Sequence, residues 1–321
     1  MTTTLADRLF DVPSLDSLYA LVPDCGMAPG WNKPTPSLWA EPRKTFWPGQ
    51  WRYAEAKPAL DAAGRLMTTA DAERRNLVLV NPKPDNAYGT TRNLVVAYQM
   101  IMPGERARSH RHTPNALRLV LDSESGAYTN VDGQRLAMLP GDVVLTPGWC
   151  WHGHGNDGTA PAYWLDYLDV PFVQAIEPMF FEPYPGDFEA ITAAPARSPF
   201  VFPWRETEAA LDRVAPDSFG CFGRQVPLAA PSLRTIGLFM LRLEAGTRTK
   251  PVQTTANNIY SVVRGRGETV VDGERFEWSR GDVISAPAWR PHEHHAAEDA
   301  VLFRVTDAPL LDALGFLRGP R

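Results

Sequence analysis

The sequence contains two similar segments that align without a gap at a constant offset of 140 residues. They are "VDGQRLAMLPGDVVLTPGWCWHGH" (residues 131–154) and "VDGERFEWSRGDVISAPAWRPHEH" (residues 271–294). Self-similarity of this length indicates two copies of one structural unit. Each copy has an Asp-Gly pair between β-rich runs, typical of a tight hairpin, and a Gly-Asp turn before a short apolar strand. The chain is therefore predicted to contain two β units.

Apolar runs ahead of these segments extend each unit. "TRNLVVAYQMIMPGE" and "RTIGLFMLRLEAGT" both end in a glycine turn, so the repeats are predicted to begin near residues 91 and 232. Many short strands with regular turn signals favour a sandwich or a small barrel. The predicted organisation is an N-terminal helical arm (1–90), a first β domain (91–175), a linker with a helix (176–230) and a second β domain with the C-terminal tail (231–321).

Two segments outside the repeats carry helix signals. "TTADAERRNLVLV" opens with a Thr/Asp helix start in the arm, and "WRETEAALDRVA" has helical apolar spacing in the linker. The rest of the linker is rich in proline and is predicted to be extended over the surface.

Composition narrows the class of protein. The 321 residues carry a formal charge of −5 and 44% hydrophobic residues, which can supply a core. Lys and Arg form no basic stripe, which argues against nucleic acid as a partner. We find no leader pattern and no apolar run long enough for a membrane span, so a cytoplasmic protein with no membrane partner is expected. Cys25, Cys150 and Cys221 are odd in number and far apart, which favours reduced thiols.

Two pairs of histidines carry the main chemical signal. In "ARSHRHTPNALRLVL", His110 and His112 lie two residues apart, as do His152 and His154 further on. Residues two apart on a strand share a face, so these imidazoles would converge inside a small barrel. Imidazole nitrogen suits iron, copper, nickel or zinc, and three protein ligands would leave positions open for a substrate. A catalytic metal site is therefore predicted.

Arg118 lies on the strand that follows the first histidine pair. Leu117, Leu119 and Leu121 occupy one face of this strand, so Arg118 uses the other. If that face is the barrel interior, the guanidinium is a buried cation that needs an anion. A solvent-facing arginine is the alternative, and the residues by themselves leave both open.

Several of these features resemble known motifs. The run from Gly104 through His110 and His112 to Gly126, with Gly141, Pro147, His152 and Asn156, resembles the two motifs of the cupin superfamily, and the repeat makes it resemble a bicupin. "SHRHTPNALRLVL", "PGDVVLTPGWCWHGHGNDG", "YWLDYLDVP" and "WRYAEAKPALDAAGRLMTTADAERRNLVLVNP" are similar to ring-cleaving dioxygenases. That family includes gentisate, salicylate, 5-nitrosalicylate and 1-hydroxy-2-naphthoate dioxygenases.

The resemblance implies an all-β fold of two tandem cupin (double-stranded β-helix, jelly-roll) barrels with a helical arm and linker. It implies one Fe(II) per chain, held by His110, His112 and His152. No carboxylate ligand is expected, because Ala116 and Leu117 occupy the places where the ordinary cupin pattern has a Glu.

The implied reaction uses O2 to cleave the ring of a 2-hydroxybenzoate, gentisate or a salicylate such as 5-nitrosalicylate. The ring opens between the carboxyl-bearing and hydroxyl-bearing carbons. A homo-oligomer, with a tetramer favoured, is also implied.

The resemblance assigns further site residues. Arg118 would bind the substrate carboxylate, and His154 would hydrogen-bond the substrate and move protons. Asp166 would orient His154 or another imidazole. Gln99 would contact the substrate oxygens, and Arg75, or its neighbour Arg74, would close the pocket from the arm. For Gln99, Asp166 and Arg75, packing or surface ion pairing remains an alternative.

The second repeat keeps His292 and His294 but has Lys250, Val252 and Thr254 where a first histidine pair would be needed. No metal is therefore expected in the second barrel, which would be a structural partner.

Three local departures surround the predicted pocket and leave the ring substituents undecided. Relative to the family pattern, "LDSESGAY" has one extra residue in the glycine hairpin. Gly153 stands between His152 and His154, where the family commonly has an Asp, and "TPN" differs from the family's usual segment before "ALR". Two other functions remain possible at this stage: a non-catalytic cupin that binds a small aromatic acid or sugar, and a zinc or manganese cupin isomerase.

Overall fold

The computed structural model describes residues 4–69, 71–72 and 74–319, and the chain divides into two compact units, Met1–Arg43 and Lys44–Arg321. The first unit carries helices α1 (Leu5–Phe10) and α2 (Leu15–Leu21) and a short 3-10 helix (Val22–Cys25). A capping box begins α1, since the Thr4 hydroxyl accepts from the Asp7 N–H at 3.1 Å and the Asp7 carboxylate accepts from the Thr4 N–H at 2.9 Å.

The second unit contains the repeats. Its helices are α3 (Tyr53–Leu66), α4 (Val170–Ala175), α5 (Trp204–Arg213) and α6 (Ala308–Ala313). The strands that precede the linker are β1 (Gly49–Trp51), β2 (Arg75–Val78), β3 (Val95–Ile101), β4 (Arg106–His112), β5 (Ala116–Asp122), β6 (Ala127–Val131), β7 (Gln134–Ala137), β8 (Val143–Thr146), β9 (His152–Asn156) and β10 (Ala162–Leu168). The strands that follow are β11 (Phe181–Pro183), β12 (Val201–Phe202), β13 (Arg224–Pro227), β14 (Gly237–Leu243), β15 (Asn258–Arg264), β16 (Gly267–Val271), β17 (Glu274–Trp278), β18 (Val283–Ala286), β19 (His292–Ala296) and β20 (Ala300–Thr306).

Each repeat folds into two facing sheets that enclose a barrel. In the first barrel the strand orders are β12-β8-β5-β10-β3-β2 and β11-β4-β9-β6-β7. In the second they are β1-β18-β15-β20-β14-β13 and β17-β16-β19. The paired strands run antiparallel, with the crossovers of a jelly roll. The predicted all-β class with two tandem barrels and helical additions is confirmed.

The Asp-Gly pairs form the predicted hairpins. Asp132 and Gly133 join β6 to β7 with φ of 44° and 75°, and Asp272 and Gly273 join β16 to β17 with φ of 51° and 87°. Two successive positive φ values define the type I′ turn, whose twist matches that of the flanking strands. The same turn therefore closes the same hairpin in both barrels.

The main core lies between the two barrels. Leu117, Leu119 and Leu121 on β5 belong to this cluster, as do Ile259 on β15 and Phe303 on β20. Since these leucines fill one face of β5, the intervening residues of the strand face the interior of the first barrel. The packing of one barrel on the other thus decides what the inside of the first barrel contains.

A strand and a helix from each connecting segment cross between the barrels. β1 pairs with β18 of the second barrel, while α3 packs against β2 and β3 of the first. β12 pairs with β8 of the first barrel, while α5 packs against β13 and β14 of the second. The Tyr53 N–H, where α3 begins, donates to Asp282 at 2.9 Å, and the Trp204 N–H, where α5 begins, donates to Asp142 at 2.7 Å. The Gly-Asp turns of the repeats therefore cap the two connecting helices.

One helix prediction is wrong. The described residues of 67–74 form a turn in which the Asp71 carboxylate accepts from the Thr68 N–H at 2.9 Å, and a strand, β2, follows. The Thr-Asp signal is satisfied by this local turn, because Asp and Thr side chains bond nearby backbone in turns as well as in helix caps. The helix of this region is α3, which ends at Leu66. Within the described part of the chain, no helix has the length and apolar character to cross a membrane.

We expect Asp142→Ala to lower the free energy of unfolding by about 1 kcal/mol, because the part-buried N–H groups of Trp204 and Leu139 would lose their acceptor. Denaturant unfolding followed by circular dichroism measures this. Glu124→Ala, at an exposed turn position, serves as the control and should change stability by less than about 0.5 kcal/mol. Equal stability of the two variants would contradict the capping role.

Candidate metal centre

A bulge in β4 sets the position of the first histidine pair. β4 pairs with β9 as Ala107 with His154 and then as His110 with His152, with a register shift between the two pairs. Continuation of the first register would have placed Trp151 opposite His110. Since a one-residue slip turns side chains to the other face of a sheet, the bulge is what brings His110 and His152 to the same face.

Three imidazoles meet inside the first barrel. One donor atom from each of His110, His112 and His152 lies within 4.8 Å of the others. The ring centroids are 4.3 Å apart for His110 and His152, 4.8 Å for His112 and His152, and 5.4 Å for His110 and His112. His110 and His152 are each 1% exposed, whereas His112 is partly exposed. The site is therefore enclosed on one side and open at His112.

Each of the three rings turns its Nδ1 toward a main-chain carbonyl two residues away. The distances are 2.8 Å from His112 to Pro114, 3.0 Å from His152 to Cys150 and 3.4 Å from His110 to Arg108. A carbonyl only accepts, so for His112 and His152 it favours the Nδ1–H tautomer and leaves the Nε2 lone pair available. This is the usual way in which proteins orient metal-binding histidines.

The electrostatic surroundings keep these rings neutral. Burial lowers the pKa of His110 to about 2 and that of His112 to about 4, and the Arg74 and Arg118 guanidiniums act in the same direction. Burial likewise holds the pKa of His152 well below its usual value. Neutral imidazole is the form that binds a metal, and three nitrogen donors without a carboxylate suit iron, copper, nickel or zinc. The donor set therefore fits a divalent transition metal.

Arg118 lies inside the barrel. Its side chain is buried, its Nη1 donates to Thr146 Oγ1 at 3.0 Å, and its Nε lies 3.4 Å from Asp166 Oδ1. Burial raises the pKa of Asp166 even though Arg118 and Arg74 both lower it. The structure thus pairs Asp166 with Arg118, and His154 has a different partner.

That partner is a threonine that sequence reasoning missed. Thr129 Oγ1 lies 3.0 Å from His154 Nδ1, and the Thr129 hydroxyl also reaches the Met138 sulfur at 3.3 Å. His154 is 3% exposed, and its Nε2 has no hydrogen-bond partner among the described residues. The ring lies 5.4 Å from that of Trp164. A signal for Thr129 was present, because Thr269 occupies the same place in the second repeat.

Gln99 lies on β3 and is 2% exposed. Val96, Tyr98 and Met100 of the same strand belong to the core between the barrels, so Gln99 faces the interior of the first barrel. It is opposite Trp164 in the register of β3 and β10. Within the described ranges, no side-chain hydrogen bond of Gln99 is formed, and its amide is available to a ligand.

The two arginines of the arm have different surroundings. The Arg75 guanidinium donates to both Glu105 carboxylate oxygens at 2.6 Å and to the Met67 carbonyl. The Arg74 Nη2 instead lies 2.5 Å from Nδ1 and 3.1 Å from Nε2 of His110. Arg74 therefore contacts the His110 ring directly. A substrate-binding role for Arg75 stays a prediction, and its guanidinium is already bound to a carboxylate.

The linker adds an aromatic residue to the mouth of the site. β11 pairs with β4, which places Phe181 opposite His112. The Phe181 ring stacks on that of His110 at 5.2 Å with an interplanar angle of 26°, while 58% of Phe181 is exposed. Sequence reasoning treated this segment only as a surface cover. The apolar run "MFF" between two prolines was the sequence signal that could have indicated a buried or site-lining aromatic residue in this segment.

The second barrel uses its histidines differently. His292 Nε2 lies 2.7 Å from the Tyr260 hydroxyl, and His294 Nδ1 lies 2.8 Å from Thr269 Oγ1. Val252 stands opposite His292, where the first barrel has His110 opposite His152. Among the described residues, His110, His112 and His152 form the one group with three donors close enough for a metal.

Comparisons with known proteins agree with this geometry. The Cupin domain family matches residues 97–168 and 239–308. The chain is 34% identical to gentisate 1,2-dioxygenase 1 of Aquipseudomonas alcaligenes, over 94% of this chain and 95% of that protein. It is 35% identical to 5-aminosalicylate 1,2-dioxygenase of a Comamonas species, over 95% of this chain and 89% of that one.

A solved structure extends the likeness to nearly the full length of the chain. The crystal structure of salicylate 1,2-dioxygenase from Pseudaminobacter salicylatoxidans superposes with a TM-score of 0.86 at 28% identity, over 97% of this chain and 98% of that one. The resemblance seen in the histidine segments is thus confirmed over nearly the full length. The chain belongs to the bicupin family of ring-cleaving 1,2-dioxygenases that includes gentisate 1,2-dioxygenase.

Proposed function

We propose that this enzyme holds one Fe(II) with His110, His112 and His152 and uses O2 to open the ring of a 2-hydroxybenzoate. The ring would open between the carboxyl-bearing and hydroxyl-bearing carbons. The substrate class is that named for the relatives, gentisate and 5-substituted salicylates. The observation that carries the proposal is the convergence of three neutral imidazoles next to a buried guanidinium, Arg118.

The three histidines contribute no charge to the site. When bound, Fe(II) would supply the redox chemistry that lets O2 react with the ring. Because the ligands are neutral, the metal keeps its full charge, which favours an anionic, chelating substrate over water. His112, as the partly exposed ligand, marks the side from which the substrate enters.

Arg118 is proposed to bind the substrate carboxylate. Its N–H groups lie in one plane and match the two oxygens of a carboxylate. The Asp166 oxygen at 3.4 Å offsets its charge in the free enzyme, while Arg74 adds a second cation beside His110. An anion entering this space therefore meets two guanidiniums, in a barrel interior where such attraction is strong.

Thr129 is proposed to position His154, and His154 to hydrogen-bond the ring hydroxyl of the substrate. A hydroxyl at 3.0 Å from Nδ1 fixes the ring plane and directs Nε2, which is buried and without a partner among the described residues, into the barrel. Gln99 would contact the substrate oxygens by its amide, and Phe181 would form the aromatic wall at the entrance. The tetrameric state and the cytoplasmic location stay predictions.

We expect the iron-loaded enzyme to consume O2 with one or more of gentisate, salicylate, 5-substituted salicylates and 1-hydroxy-2-naphthoate. His112→Ala should lose the metal and turnover while keeping its fold, and His295→Ala, in the second barrel, is the matched control with full activity. An oxygen electrode, product mass spectrometry and metal analysis give the results. Oxygen uptake by none of these acids would favour a non-catalytic binding protein. Zinc or manganese as the metal retained after purification would favour an isomerase.

Arg118→Met should weaken binding of carboxylated aromatics on the order of 10²-fold, roughly 3 kcal/mol, with little change in iron content. The physical reason is the loss of the planar cation that faces the substrate carboxylate. Arg111→Met, on the outer face and paired with Glu182, is the control. Titration calorimetry with salicylate measures the affinity. An unchanged dissociation constant for Arg118→Met would remove the anchor role.

Thr129→Val, which keeps the shape but removes the hydroxyl, should lower kcat roughly tenfold, and Thr129→Ser should restore most of it. The ¹⁵N NMR shifts of the His154 ring should change in Thr129→Val and return in Thr129→Ser. Thr269→Val removes the equivalent contact in the second barrel and should leave turnover unchanged. If Thr129→Val and Thr269→Val behave alike, the hydroxyl has no positioning role.

A further inference from the structure

The second barrel encloses a cation for which the described residues supply no ionic partner. Arg304 lies on β20 and is 4% exposed. Of the carboxylates in the described ranges, none lies within 4.0 Å of its guanidinium. Burial of a charge without an ionic partner is strongly unfavourable, so a side chain of this kind is suited to bind an anion.

Two aromatic rings contact the guanidinium, and one of its buried nitrogens lacks an acceptor among the described residues. The Phe222 and Phe239 rings each lie 4.3 Å from the Arg304 Cζ. Nη1 donates to Gln225 Oε1 at 3.1 Å, whereas the buried Nε finds no acceptor among the described residues. Aromatic rings on a guanidinium leave its N–H groups pointing outward in the plane. That edge is the one with which arginine binds a carboxylate through two parallel hydrogen bonds.

Other groups in this interior do not supply a negative charge. His292 and His294 are buried, and burial together with Arg304 lowers the pKa of both. The Tyr260 hydroxyl is bonded to His292, and burial raises its pKa. His294 Nε2, like Arg304 Nε, is a buried nitrogen that lacks a partner within the described residues. The interior therefore has a net positive charge and two unused nitrogens.

Equivalent strand positions in the first barrel show what has changed. Asp166 is the fifth residue of β10 and Arg304 the fifth of β20, while Arg118 is the third of β5 and Tyr260 the third of β15. The first barrel thus pairs a cation with an acid, at 3.4 Å. In the second barrel the arginine, Arg304, occupies the position that the acid has in the first, and a tyrosine, Tyr260, occupies the position of the first barrel's arginine. Among the described residues, the second barrel therefore has a buried arginine that can attract an anion, but no set of three histidines that could hold a metal.

We propose that the second barrel binds a small organic carboxylate at Arg304, separately from the metal centre. The two carboxylate oxygens accept from the in-plane N–H groups of Arg304, and His294 Nε2 is the second contact. The partly exposed Gln225 and Phe239 mark the side open to solvent. The site selects for a planar, two-oxygen anion, because a guanidinium presents its N–H groups in one plane and matches two carboxylate oxygens.

Equilibrium dialysis of the iron-loaded enzyme with ¹⁴C-acetate, in chloride-free buffer, tests this. Arg304→Met should bind one acetate fewer per chain than the wild type, and Arg118→Met should keep the Arg304 site. The melting temperature of the wild type and of Arg118→Met should rise with acetate concentration, and that of Arg304→Met should lose this component. An unchanged number of sites in Arg304→Met overturns the proposal.

Two further measurements keep the test decisive. Arg304→Lys keeps the charge but lacks the planar edge, so a folded Arg304→Lys should bind acetate at least tenfold more weakly; equal binding would overturn the bidentate contact. Sodium chloride at the same ionic strength should protect the wild type less than acetate does. Equal protection by chloride would overturn the selectivity for a carboxylate.

Discussion

The positive potential inside the first barrel is the constraint on which the site depends. Arg118 and Arg74 lie near the three imidazoles, and both guanidiniums favour the neutral form of the histidines. Neutral rings can bind a metal ion, and a metal ion adds further positive charge. Asp166 offsets part of this charge at Arg118. The arrangement is stable with an anion present, which is why a carboxylated substrate suits it.

Packing between the barrels is what makes this interior possible. On β5, Leu117, Leu119 and Leu121 pack in the core between the barrels, whereas Arg118 lies on the opposite face, inside the first barrel. The connecting helices reinforce the pair, since α3 and α5 each begin on the Gly-Asp turn of one barrel and pack on the other. The second barrel therefore has a structural function for the first, whatever it binds itself.

The internal repeat predicted two β units, and the histidine spacing gave two pairs of candidate ligands, His110 with His112 and His152 with His154. The two cupin barrels and the set His110, His112 and His152 came from the family resemblance. Strand alternation is a local property, so residues two apart could be assigned to one face without the fold. The hydrogen-bond and ion-pair partners of those residues could not be predicted from the sequence. Thr129 bonds His154, and Asp166 pairs with Arg118, because cross-barrel neighbours depend on register. The helix start at Thr68 failed for a related reason: a short-range signal fits a turn as well as a helix.

By itself, the sequence determined the repeat, the hairpins and the side of each strand on which the chemistry lies, because turns and alternation follow from neighbouring residues. The tertiary structure decided the rest. The bulge in β4 brings His110 opposite His152, the linker places Phe181 against His110, and the second barrel buries Arg304 against Phe222. These contacts join residues that are far apart in the chain, and their distances are set by the register of strands and the packing of sheets, which local sequence does not specify.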